Sequence, residues 1–339
     1  MKLITKTNNG NMSYKNSYQQ NTPDTQTVIS QVNIKKNRPY AIQFLSAVAL
    51  TLAASPFAFY PQVVLANDGN TISTDTSTSQ SHMPQNLNEW FERSDRVKEN
   101  QPHWMTPLAT VTPRLEQEYR YDQLWQNKPK GVSLENYGLN KGLELITSEN
   151  AELILGVPGY VKETSSKEDK EGFADASLLL KYRFISANEE NGNYIVTGFL
   201  GLTVPTGSAN FTTGHTVLTS TIAAGKGWGT REQGFDIQST LAISYADGNQ
   251  QKTGEPIMWN TTFQAHIGKI WPEIETNVIH FNEGINAGKT QTVITTGFNL
   301  GRFHLYDRLN LAIGAGYQQT VSSFKTVNNG LLLTARLPF

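Results

Sequence analysis

Charged and polar side chains recur at every second position in several stretches of this chain, and no catalytic motif accompanies them. Arg114, Glu116, Glu118 and Arg120 form one such run, and Lys181 and Arg183, Asp236 and Gln238, Gln264 and His266, and Arg336 with Thr334 form others. Residues two apart in an extended strand share a face, so these side chains, Thr334 aside, are candidates for one polar interior face. Such a face could be a ladder of structural ion pairs or a constriction that selects solutes. Histidine chemistry finds less support. His266 alternates with Gln264 and Thr262, His215 stands near Thr213 and Ser220, and His280 and His304 fall near strand ends. None sits beside a nucleophile and an acidic partner in a familiar order, so no catalytic residue is expected. No cofactor is expected either. The chain holds no cysteine, which removes thiolate ligands and disulfides together. Only Glu116 and Glu118 share a ligand-like spacing, too little for a metal site.

The elements that would carry these residues alternate with period two. Phe235, Ile237, Leu241, Ile243 and Tyr245 face away from Asp236, Gln238, Thr240 and Ser244, and Leu178, Leu180, Tyr182 and Phe184 from Lys181 and Arg183. Leu331, Leu333, Ala335, Leu337 and Phe339 repeat the pattern to the end of the sequence. Counting such runs gives about twelve strands, near 110–121, 139–147, 151–160, 172–185, 192–205, 216–226, 233–246, 257–269, 273–281, 290–301, 307–319 and 328–339. Their length suits the ~9–11 tilted residues that cross a bilayer. The links alternate too: 122–138, 161–171, 206–215, 247–256, 282–289 and 320–327 are longer, and those between them are short. Long loops outside and tight periplasmic turns inside are the outer-membrane pattern. The fold class expected is therefore all-β, an antiparallel transmembrane β-barrel of about twelve strands with long extracellular loops. A charge facing the bilayer middle costs about 2–4 kcal/mol for Arg or Lys, which assigns the charged face to the lumen. Aromatic residues such as Tyr121, Tyr182, Trp259, Trp271 and Tyr317 fall where strands would meet headgroups, as amphipathic rings prefer.

The composition fits this class. Of 339 residues 38% are hydrophobic and 17% charged, and the net charge is −1, so the basic footprint of a nucleic-acid binder is missing. A basic cluster, Lys35, Lys36 and Arg38, precedes the apolar stretch Ala41 to Phe59, and Val64-Leu65-Ala66 supplies a cleavage pattern. Residues 1–66 read as a signal peptide with a long n-region, 67–108 as a polar linker with a short amphipathic helix over Pro84 to Glu99, and 109–339 as the barrel. Cleavage near Ala66 would deliver the rest to the cell outer membrane.

One block carries a family resemblance. Gly172-Phe-Ala-Asp-Ala-Ser-Leu-Leu-Leu-Lys-Tyr-Arg-Phe184, followed by Gly198-Phe-Leu-Gly-Leu-Thr-Val-Pro-Thr-Gly207 and preceded by Tyr137-Gly138-Leu139 with Gly142-Leu-Glu-Leu145, resembles the outer-membrane proteins named after the meta-cleavage pathway of phenol degradation. Val204 and the Ala- and Ser-rich stretch 216–226 depart from that pattern. The resemblance implies a channel-like barrel passing small, often hydrophobic or aromatic solutes. The partners expected are outer-membrane lipid and lipopolysaccharide, the barrel assembly machinery through the closing Phe339, and a small-molecule solute. An anchor or adhesin-type surface protein without transport, and more remotely an outer-membrane hydrolase, are the alternatives.

Overall fold

The computed structural model describes residues 85–339, residue 249 apart. The expected signal segment and the first part of the linker lie outside the described residues. Helix α1 (Gln85–Glu99) turns Ser94 and Val97 inward and leaves Leu87 outside, with Arg96 and Lys98 in its last turn, where cations meet the negative end of the helix dipole.

Alternating side chains then build one sheet of fifteen segments: β1 (Glu118–Lys128), β2 (Val132–Gly138), β3 (Gly142–Ser148), β4 (Ala151–Gly156), β5 (Tyr160–Thr164), β6 (Lys170–Phe173), β7 (Ala176–Ala187), β8 (Tyr194–Val204), β9 (Val217–Gly229), β10 (Gln233–Ala246), β11 (Pro256–Ile267), β12 (Ile270–Phe281), β13 (Thr290–Tyr306), β14 (Leu309–Thr320) and β15 (Asn329–Pro338). The segments β2 and β3, β4 and β5, and β6 and β7 are halves of three interrupted strands, so the wall has twelve. Every neighbouring pair is antiparallel, and β15 pairs back onto β1, Arg336 opposite Arg120 and Thr334 opposite Asp122. Closure through β15 and β1 leaves β6 as the segment paired on a single side, where Phe173 meets Ser208 of the following link.

The three interruptions lie side by side. Leu139 and Asn140 both adopt positive φ, 47° and 53°, Pro158 has no N–H to give a ladder, and Ala174 and Asp175 fall between β6 and β7. The Asn140 side chain bridges them, donating to the Asp175 carbonyl at 2.7 Å and accepting from Gly159 N at 3.0 Å. A polar side chain thus replaces ladder bonds lost at the break.

The two faces of the wall differ as a membrane barrel requires. Leu180, Phe184, Leu200, Ile222, Phe235, Leu241, Trp259, Phe263 and Ile274 are exposed on the outside. Their alternates Lys181, Thr197, Ala223, Asp236, Gln238, Thr240, Thr262, Gln264 and Glu273 are buried. No helix among the described residues is long and apolar enough to cross a membrane.

Three boundaries differ from expectation. The first strand begins at Glu118 rather than near 110, because residues 101–117 lie inside the barrel and spend their backbone groups on inward side chains. The link expected over 122–138 is mostly strand, turning only at Pro129–Gly131, because Val132–Gly138 finds partners on both β1 and β5. Elsewhere 205–216, 247–255, 282–289 and 321–328 at one end are longer than 149–150, 230–232, 268–269 and 307–308 at the other, but the link expected over 161–171 shrinks to 165–169 because β5 and β6 extend into it, and is shorter than 188–193 at the opposite end. Among the aromatic residues, Trp271 points inward, where its ring stacks on His266 with centroids 4.1 Å apart. Tyr121 is buried with Trp125 and Ala335, whereas Tyr182, Trp259 and Tyr317 are exposed.

Candidate functional site

The interior is occupied by the chain itself. From Gln101 to Gln117 nearly every residue is buried, and the segment is tied to the wall on all sides. Glu273 accepts from Leu108 N at 2.8 Å, and the two oxygens of Glu275 accept from Ala109 N at 2.7 Å and Thr110 N at 2.6 Å. Arg336 donates to the carbonyls of Thr106 and Pro107 at 2.5 and 2.7 Å. Arg302 donates to those of His103 and Trp104, each at 3.0 Å. The Thr197 hydroxyl donates to the Pro113 carbonyl at 2.6 Å. An irregular backbone inside a barrel must find such partners, since buried orphan groups are costly.

Large side chains of this segment seat on bare backbone. A Cβ on Gly225 or Gly227 of β9 would come 2.4 Å from the Trp104 ring. A Cβ on Gly297, Gly314 or Gly316 would come 2.5 to 2.8 Å from Leu108. Trp104 and Leu108 are almost wholly buried. Glycine is required here for close approach, not for its φ range.

The residues singled out by alternation divide into two sets. Arg114 and Glu116 are not on the wall; they belong to the inserted segment, paired with each other at 2.7 Å, and Arg114 also donates to the carbonyls of Pro102, at 2.5 Å, and Trp104. On the wall, Lys181 meets Glu152 at 3.0 Å and donates to the Arg114 carbonyl at 2.5 Å. Arg183 donates to the carbonyls of Val97 and Glu149. Arg120 grips Asp122 at 2.8 Å and the Leu108 carbonyl at 2.7 Å. Gln238 accepts from the Thr112 hydroxyl at 2.7 Å and donates to Asp236 at 2.9 Å. Gln264 donates to Glu273 at 2.5 Å, and the His266 Nε2–H to the Thr230 carbonyl at 2.8 Å. Glu118 is buried on β1 near Arg120, Arg336 and Glu144, with one oxygen unpartnered. Glu152, Glu273, Glu275 and Arg302, central to the interior, are missing from the alternation set. Glu273 and Glu275 stood two apart around Ile274 in a stretch too mixed to stand out, because β12 turns polar side chains inward to meet backbone that the sequence gives no reason to place there.

At the end bearing the short turns, a second set of contacts holds the entry of the segment. His103 N donates to one Glu189 oxygen at 2.6 Å, and the His103 ring meets the other at 2.8 Å. Arg231 pairs with Glu99 and stands 3.8 Å from Glu189. Arg308 pairs with Asp95, Arg96 with Glu149 at 3.0 Å, and Trp90 Nε1–H donates to the Ile146 carbonyl at 2.7 Å. Burial would raise the Glu189 carboxyl, but the hydrogen bonds from the His103 ring and backbone override it and hold the group at about 2. The hydrogen bond from Arg231 likewise lowers Glu99.

The contacts of His215 do not form a hydrolytic triad. His215 Nδ1 lies 3.0 Å from Asp247, but the Thr213 hydroxyl serves Asp175 and the His215 carbonyl rather than the ring. No group of three or more His, Cys, Asp or Glu among the described residues is placed to hold a metal ion.

Closed pairing and two unlike faces define a twelve-stranded antiparallel β-barrel whose interior is occupied by its own N-terminal segment. No family model matches the chain, the phenol-degradation family included, and no curated relative matches it. Among solved structures, an outer-membrane channel from Pseudomonas putida F1 is similar at 13% identity, over 70% of this chain and all of its own, with a TM-score of 0.47. The NanC porin is similar at 10% identity, over 65% of this chain and 98% of its own, with a TM-score of 0.41. The transport unit of the autotransporter AIDA-I from Escherichia coli follows at 14% identity, over 74% and 98%, with a TM-score of 0.34.

Proposed function

We propose that this protein is an outer-membrane channel for small solutes, closed at rest by residues 101–117. The observation that carries this reading is the contrast between the two faces of a closed wall: exposed Leu, Ile, Phe and Trp outside, buried Lys, Arg, Asp, Glu and Gln within. A barrel in water has the reverse preference, whereas lipid demands an apolar exterior and a closed ladder. In this reading the long links face outward from the cell, the short turns and α1 face the periplasm, and solute passes when the inserted segment moves. The preference for hydrophobic or aromatic solutes rests on the sequence resemblance alone.

A second reading, a surface anchor without transport, is favoured by the number of hydrogen bonds that seat the segment. Membrane fractionation with heat-modifiable gel mobility tests the location, since a folded membrane barrel runs anomalously until boiled. Solute flux into liposomes then separates the readings. A folded barrel giving flux above empty liposomes, in the parent or once Gly316→Leu displaces the inserted segment, supports the channel, and a folded barrel giving none in either form supports the anchor.

A further inference from the structure

Between the inserted segment, at Thr106, Val111 and Thr112, and the wall near the strand interruptions, the interior keeps a cavity of about 200 Å³. Four charged residues line it: Arg120, Lys181, Lys141 and Glu144. Two of them are already paired, Arg120 with Asp122 and Lys181 with Glu152. Neither the Lys141 ammonium nor the Glu144 carboxylate is given a hydrogen bond or ion pair by the described residues, although Glu144 is only 5% exposed. Lys141 lies among inward charges, with Arg120, Asp122 and Glu144 its electrostatic neighbours. Lys141 falls in the break just before β3, where strand alternation no longer fixes its direction, and its side chain lines the cavity. The interruption thus brings a cation into the interior.

Val111, Ile154 and Leu179 add an aliphatic wall to the same cavity. The space suits a compact molecule, since a cavity of about 150 Å³ admits a benzene ring. Charge decides its class. With the two ion pairs closed, the remaining cation and carboxylate balance. A simple anion would answer the partly exposed Lys141 and leave the buried Glu144 without a partner, which is costly, and a simple cation would answer Glu144 alone. A molecule carrying both signs satisfies both.

We propose that this cavity is a binding subsite for a small zwitterion with an aliphatic body, of the α-amino-acid type, its carboxylate at Lys141 and its ammonium at Glu144. The inference rests on the reading of the barrel as a solute channel, but binding is measurable without flux.

Isothermal titration of the full-length protein, folded in detergent, with L-valine, 3-methylbutyrate and isobutylamine tests it, because the three share one body and differ in charge. L-Valine is expected to bind at least tenfold more tightly than either singly charged probe. Lys141→Met and Glu144→Gln, each checked for folding by heat-modifiable mobility, are expected to weaken it at least tenfold, and Lys141→Arg to restore most of the loss. Equal binding of 3-methylbutyrate and L-valine, or no binding of any probe to folded protein, overturns the proposal. Loss of binding with flux intact condemns the subsite alone; binding without flux in liposomes, in the parent and in Gly316→Leu alike, condemns the channel reading and leaves the subsite standing.

Discussion

Lys181 and Glu152 are wholly buried, 3.0 Å apart, and each also serves the inserted backbone: Lys181 the Arg114 carbonyl, Glu152 the Glu116 N–H. Removing one partner leaves the other charge buried alone, which typically costs about 3–5 kcal/mol. Lys181→Met is therefore expected to destabilise the folded barrel by that order, and Lys181→Met with Glu152→Leu to recover part of it. Chemical unfolding in detergent micelles measures both; a single substitution within error of the parent would show the pair to be solvated. The same geometry gives Lys181 and Arg183 a structural role, since their donors are spent on carbonyls and a carboxylate. Neutralising either is expected to lower stability and leave ion selectivity unchanged. Alternation made these inward side chains legible, because a strand's period is two. What they bind was not legible, since their partners are backbone atoms of a segment with no period.

At the scale of elements, the seat of the inserted segment is steric on one side and electrostatic at its entry. Gly316→Leu would put side-chain atoms where Leu108 now lies, and is expected to raise basal liposome flux by displacing the segment. Unchanged flux from a folded variant would show that the segment does not obstruct the path. The small residues of β9 that weaken its strand pattern are explained by the same packing: Gly225 and Gly227 leave space for Trp104. A departure from strand propensity in the sequence was thus a packing feature in the structure. The entry responds to acid. Glu189 titrates at about 2 when bonded to His103, below the ordinary carboxylate value of 4.5, so its contribution is present above about 4.5 and is lost as the pH falls through that window towards 2. Amide protection at residues 100–105, taken relative to the intrinsic exchange rate at each pH, is expected to fall across this interval. Glu189→Gln should show the lower protection already at neutral pH, and identical protection in parent and variant would remove Glu189 from the latch. The strand expected over 110–121 misled because Arg114, Glu116, Glu118 and Arg120 alternate whether the chain pairs or merely extends. Only from Glu118 onward does β15 supply a ladder.

For the whole molecule, wall and contents were unequally readable. Twelve strands, their alternate faces and the ordering of most links follow from local pattern, because each strand reports its own faces in its own sequence. Closure through β15 and β1 and the filling of the lumen depend on contacts between residues far apart, such as Leu108 with Gly316. Those contacts leave only glycines and small residues as a trace. Whether a membrane channel is held shut by its own residues 101–117 can be tested by fixing that segment in place. The chain has no cysteine, so Leu108→Cys with Gly316→Cys creates a single thiol pair, to be joined by oxidation or a short thiol-reactive cross-linker. Solute flux into liposomes is then measured with the pair joined and with it free. Flux that appears in the free state and falls to the level of empty liposomes when the pair is joined is the expected result. Equal flux in both states, with the joining verified by mass, would contradict it.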